Sequence, residues 1–112
     1  MKIAVVILNW NGLAFLKQFL PSVLAYSSEA ATVIIADNAS TDDSVSFLKR
    51  EYPQVQIICN TVNGGFAQGY NDALKQIDAK YYVLLNSDVE VTPQWIEPII
   101  ELMDSDTSIA AC

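Results

Sequence analysis

An α/β fold built on a mostly parallel sheet is what this sequence predicts, and three observations predict it. Short apolar runs rich in β-branched or aromatic residues recur at near-constant spacing, at residues 3–8, 32–36, 55–59 and 81–85. Stretches with helical apolar spacing separate them. Each run stops at polar residues. Near-continuous apolar strands are expected where both faces of a sheet are covered, and strand–helix alternation implies right-handed parallel crossovers. The expectation is a Rossmann-like three-layer α/β/α domain with strand order 3-2-1-4.

The elements follow in order. Residues 3–8 come directly after Met1-Lys2 and mimic a signal peptide, but the run is short and Asn9-Trp10-Asn11-Gly12 is no small-residue cleavage site. They read as the first strand. Leu13, Leu16, Leu20, Val23 and Leu24 then share one helical face. After the second strand, Ser40-Thr41-Asp42-Asp43 approximates a capping box with Ser40 at the cap, ahead of the face Val45, Leu48 and Tyr52. After the third, Phe66, Tyr70, Ala73, Leu74 and Ile77 form a face. After the fourth, Thr92-Pro93 fits a cap followed by a first-turn proline, leading into Trp95, Ile96, Ile99, Ile100 and Met103. Pro21 and Pro98 fall inside helical patterns and are expected to kink or restart them. A fifth strand is expected to begin at residues 108–111.

Composition narrows the function. With 112 residues, 52% of them apolar and 17% charged, residues 1–112 form one domain able to bury a core. No apolar run approaches the ~20 residues of a membrane span. A net charge of −7 argues against a nucleic-acid partner. The absence of histidine excludes imidazole catalysis. Cys59 and Cys112 read as reduced, buried thiols, and the protein as cytoplasmic. The last residues look like a strand just starting, so the chain reads as the first part of a longer protein.

Four polar clusters follow the four strands and so fall at one edge of the sheet. Ligands collect at that edge, at the switch point between strands 1 and 4, which Asn9-Trp10-Asn11-Gly12 and Asn86-Ser87-Asp88 would line. Trp10 either stacks on a base or sugar or lies over the sheet edge as a lid. Asp37 suits a ribose hydroxyl or base N–H; taken alone, it more simply satisfies the N–H groups of its own turn. Asn63-Gly64-Gly65-Phe66-Ala67-Gln68-Gly69 opens a helix with a glycine-rich loop that suits anions, though it lacks the Walker lysine. Gly69 inside the helix marks either close packing or ligand contact. Asp88 suits Mg²⁺ or Mn²⁺, with Asn86 as a weaker oxygen donor, or else caps a turn.

In these four clusters and their order, the chain resembles the N-terminal half of a family 2 glycosyltransferase of the GT-A fold, over essentially all of its residues. The Asn9-Trp10-Asn11-Gly12 opening is similar to the branch of rhamnosyltransferases and cell-surface polysaccharide enzymes. The resemblance implies that Asn9, Trp10 and Asn11 line a nucleotide pocket and that Asp37 meets the base or ribose. It implies that Asn63, Gly65 and Asn71 border the base and diphosphate. Asn86-Ser87-Asp88 then occupies the family's Asp-x-Asp position, with Asn86 replacing the first acid and Asp88 contacting a divalent cation. The implied activity is inverting transfer of a sugar from a nucleotide-diphospho-sugar to a saccharide or lipid-linked acceptor, at the inner membrane surface within a longer protein. No residue here fills the role of the general base, which in this family comes from the second half of the domain. Self-association through an exposed face is also expected.

Three other readings compete. A dinucleotide-dependent oxidoreductase would need a glycine fingerprint where Asn9-Trp10-Asn11-Gly12 stands. A phosphate-receiver domain would need paired acids after strand 1 and a phosphoacceptor on strand 3, which Asn9 and Cys59-Asn60 do not supply. A non-catalytic nucleotide-binding relative of the same fold is the third.

Overall fold

The computed structural model describes residues 2–27, 29–106 and 108. Its element order is β1 (Ile3–Asn9), α1 (Leu13–Ser27), β2 (Thr32–Asp37), α2 (Ser44–Glu51), β3 (Gln56–Cys59), α3 (Phe66–Leu74), β4 (Tyr81–Asn86) and α4 (Glu97–Ser105). The strands form one sheet in the order β3-β2-β1-β4, all pairs parallel, as expected.

Alternation along the strands feeds two cores. Ile3, Val5 and Ile7 join Val33, Ile35 and Leu85 on one face, under Leu16, Leu20 and Val23 of α1 and Phe47 and Leu48 of α2. Ala4, Val6, Ile34, Ala36 and Ile58 face the other way, against Tyr70, Ala73 and Ile77. Gly69 brings α3 close to the sheet on this face, where an added Cβ would lie 2.9 Å from Leu8 Cδ1. β1 is almost wholly buried because it is paired on both sides and covered on both faces.

Several local expectations need correction. β1, β2 and β4 each extend one residue further than expected, so that Asn9, Asp37 and Asn86 sit within the ladder. Ser40 caps no helix: α2 starts at Ser44, because the Ser40 hydroxyl is engaged by Asp37. Thr92-Pro93 does not start α4, which begins at Glu97 after Gln94 turns with a φ of 60°. Pro98 therefore falls in the first turn, where its missing N–H costs nothing. α1 continues through Pro21 as one helix, with that residue on its exposed side. α3 ends at Leu74, so Ile77 is buried from beyond the helix, while Phe66 is exposed. Cys59 is exposed on edge strand β3, not buried. Ser108 is in a turn closed on Asp106; the rest of the expected fifth strand, and Cys112, lie outside the described residues.

The N-terminal edge of the sheet is fastened by side chains. Asp104 on α4 accepts from Lys2, Tyr81 and Lys80 at 2.6, 2.8 and 3.2 Å. Trp95 Nε1 donates to Ser27 Oγ at 2.9 Å. The opposite edge is left for the polar clusters.

Candidate functional site

Parallel register places Asn9 beside Asp37, Asp37 beside Cys59, and Leu8 beside Asn86. The polar tips of the four strands therefore lie along one edge, as the sequence pattern requires.

Two side-chain networks hold three of the four loops. In the first, Asn9 Nδ2 donates to Asp37 Oδ1 at 2.9 Å and to Ser40 Oγ at 3.3 Å. Asp37 also accepts from Ser40 Oγ at 2.7 Å and from Ser40 N–H at 2.9 Å. Asp37 is thus occupied by its own turn, and it is only 3% exposed. Asn11, at a φ of 50°, accepts from the N–H groups of Thr41 and Asp42 at 2.7 and 3.1 Å. Asp42 in turn accepts from Leu13 N–H at the start of α1 and from Ser44 N–H at the start of α2. Burial pushes the Asp42 carboxyl up, but hydrogen bonds from Ser44 and Leu13 outweigh it and hold the group below its ordinary value.

The second network joins the loops after β2 and β3. Asn38 Nδ2 donates to Asn63 Oδ1 at 2.8 Å and to the Gly65 carbonyl at 3.3 Å. Asn60 Nδ2 donates to Asn38 Oδ1 at 3.2 Å and to the Gly69 carbonyl at 3.1 Å. Gly65 adopts a φ of 98°, a conformation that side chains resist, so the loop needs glycine there. Tyr70 carries the tie onward: its hydroxyl donates to the Leu85 carbonyl at 3.0 Å, and burial pushes its pKa up against a weaker opposing backbone hydrogen bond from Leu8. Sequence reasoning did not single out Asn38, Asn60 or Tyr70 as site residues. The available signal was that Asn38 and Asn60 stand immediately past the two strand tips.

The loop after β4 differs. Asn86 and Asp88 are exposed, and among the described residues no hydrogen bond or ion pair engages either side chain. The loop does abut the one after β1, because a Cβ added to Gly12 would lie 3.7 Å from Ser87 Oγ. The same Cβ would lie 2.5 Å from Asn9 Oδ1, so only glycine fits. Asn9 Oδ1 and Asn60 Oδ1 are buried acceptors with no partner among the described residues. Such atoms call for a donor from water or ligand.

The remaining candidates scatter over the same edge. Trp10 is 56% exposed, which removes the lid reading. Asn63, Gly65 and Asn71 are exposed along the glycine-rich loop and the first turns of α3. Gly69 is explained by packing: a Cβ there would lie 2.9 Å from Leu8 Cδ1 and 3.1 Å from the Asn38 amide. Among the described residues no three acidic or cysteine side chains gather into a metal-binding group. Asp88 and Asn86 together offer one carboxylate and one amide oxygen. That set suits a hard divalent ion whose other ligands are water and phosphate oxygens.

Comparison with known proteins places these features. A family model described as glycosyl transferase family 2 matches residues 4–112. A Haemophilus influenzae protein described as an uncharacterized glycosyltransferase is 25% identical over 97% of this chain and 35% of its own length. The Escherichia coli uncharacterized glycosyltransferase YibD is 26% identical over 99% of this chain and 33% of its own. The chain thus spans about one third of the length of these relatives. Among solved structures, S. aureus TarS 1-349 in complex with UDP-GlcNAc superposes with a TM-score of 0.79 at 20% identity, over 94% of this chain and 32% of that one. Mannosyltransferase PcManGT from Pyrobaculum calidifontis, in complex with GDP-Man and Mn²⁺, gives 0.70 at 21%, over 80% and 28%. At these identities the likeness is one of fold. No helix among the described residues is long and apolar enough to cross a membrane.

Proposed function

The chain belongs to glycosyl transferase family 2, and from that premise we propose that it carries the donor-binding part of a glycosyltransferase, with residues 1–112 as one nucleotide-sugar-binding domain. The observation that carries this reading is the edge itself. Three loops are locked together by Asn9, Asp37, Asn11, Asn38 and Asn60, and they face a fourth that presents an unengaged carboxylate, Asp88.

In this reading Trp10 offers its exposed face to the base or sugar, and Asn11, Asn63, Gly65 and Asn71 border the nucleotide. Asn9 and Asp37 form the floor. Asp37 acts chiefly by fixing the turn, and Asn9 offers its unpartnered Oδ1 to a ligand or water donor. Asp88, helped by Asn86, would hold Mg²⁺ or Mn²⁺, which when bound neutralises charge on a departing diphosphate. The chain needs that help: its net charge is −7, and no Lys or Arg lies in the four loops. The protein as a whole would transfer the sugar with inversion to a saccharide or lipid-linked acceptor in cell-surface polysaccharide synthesis, at the cytoplasmic face of the membrane. No residue of this chain is assigned to deprotonating the acceptor, so the expected behaviour of the 112 residues alone is binding without transfer.

Calorimetric titration with UDP, dTDP and GDP, with and without Mn²⁺, tests the reading. Binding of one nucleotide that requires the metal and is lost in Asp88→Ala supports it. Because Asp88 is exposed, that variant should unfold within about 0.5 kcal/mol of the parent chain. Metal-independent binding unaffected by Asp88→Ala would favour the non-catalytic reading, for which the amide at Asn86 speaks.

A further inference from the structure

We propose a second ligand site, separate from the strand-tip edge: the groove between α1 and α2 binds a small soluble phosphate monoester. The groove is a cavity of about 310 Å³ lined by Leu13, Lys17, Asp43, Ser46, Phe47 and Arg50. That volume is at the lower end of small-molecule clefts and fits a phosphate carried on one ring or short chain.

Its charge is opposite to that of the molecule. The chain has six cationic side chains against thirteen acidic ones, yet two of the six face this one cavity. Lys2 and Lys80 are engaged by Asp104, whereas Lys17 makes no ion pair among the described residues. Its ammonium lies 5.5 Å from the centroid of the Phe47 ring, which holds it over the groove. Arg50 pairs through Nε with Glu51, an exposed neighbour, and keeps its terminal nitrogens for another partner. A guanidinium and an ammonium on facing walls suit an anion with several oxygens. Leu13 and Phe47 supply an apolar floor for the body of the ester. Asp43 is the one acid lining the groove, and its side chain makes no capping hydrogen bond. It opposes an anion, but it forms no ion pair with Lys17 or Arg50 and so does not neutralise them.

Phenyl phosphate titrated into the ¹⁵N-labelled chain tests the site, followed by amide chemical shifts. The expected result is saturable shifts at Leu13, Lys17, Ser46 and Arg50, weaker ones with inorganic phosphate, and none with phenol. The double variant Lys17→Ala/Arg50→Ala, both substitutions at exposed positions, should weaken binding at least tenfold while keeping the dispersed spectrum. Asp43→Asn should tighten it about two- to fivefold by removing a repulsion. Asp88→Ala should leave it unchanged, so the outcome is independent of the donor site. The proposal is overturned by shifts centred on the loops after β3 and β4, by shifts indifferent to the double variant, or by no saturation. Co-sedimentation with phosphatidic acid vesicles that depends on Lys17 and Arg50 would also overturn it, by assigning the phosphate to a lipid headgroup.

Discussion

A methyl group added to Gly69 would meet two neighbours of different stiffness. Leu8 Cδ1, at 2.9 Å, is the end of a side chain and can move aside. The Asn38 amide, at 3.1 Å, cannot, because hydrogen bonds with Asn63, Gly65 and Asn60 fix it. Gly69→Ala gains about 1 kcal/mol of helix propensity but overpacks the site at a cost of about 1–3 kcal/mol. The expected net is a loss of about 1 kcal/mol in urea unfolding, together with faster hydrogen exchange in the glycine-rich loop. A stabilised variant would show that the α3–sheet contact is looser than the geometry implies. The same reasoning separates roles within the site. Asn38 and Asp37 are buried and engaged, so they organise. Trp10, Asn71 and Asp88 are exposed and unengaged, so they are the groups free to meet a ligand.

Among the elements, α4 is tied to the start of the sheet through one carboxylate, Asp104. Hydrogen bonds from Lys2, then Tyr81, then Lys80 hold the Asp104 carboxyl well below its ordinary value of 3.8. A depressed folded-state pKa means the contribution is fully present above the unfolded value and is lost as pH falls through the folded one. Acidification below about pH 4 should therefore loosen α4 first, seen as a Trp95 fluorescence change, and Asp104→Asn should remove that pH dependence. The strands and their order were legible in the sequence because apolar runs of fixed spacing leave few topologies. Helix starts were less so. Ser40 and Thr92 have the chemistry of caps, but Ser40 is taken by Asp37 three residues before it and the chain turns again at Gln94, and residue type alone does not decide between a cap and such a turn. The edge that gathers the site was legible from Asn9, Asp37 and Asn86 ending their strands. The networks through Asn38 and Asn60 were not, because they join residues more than twenty positions apart.

At the scale of the molecule, β4 ends the sheet on one side among the described residues, and its Tyr82 and Leu84 are 41% and 50% exposed on the face shared with α3. A parallel sheet is normally covered on both faces, and no charge or proline guards this strand. We propose that this face carries the expected self-association: Leu84→Lys should change stability by no more than about 0.5 kcal/mol and lower the association seen in analytical ultracentrifugation, and a parent chain that stays monomeric would refute it. Equal association in both proteins would place the contact elsewhere. The glycine-rich loop has a further consequence, for the shelf life of the protein. Asn63 stands directly before Gly64 in an exposed segment, where the Gly64 nitrogen can attack the Asn63 side-chain carbonyl carbon and expel ammonia. Hydrolysis of the resulting succinimide leaves aspartate, whose carboxylate still accepts from the Asn38 amide, or isoaspartate, which lengthens the backbone by one carbon within an exposed loop outside both cores. It also sets a new negative charge where a diphosphate is proposed to lie. Aged preparations should therefore keep their melting temperature while losing nucleotide affinity, in step with an acidic isoform resolved by ion exchange.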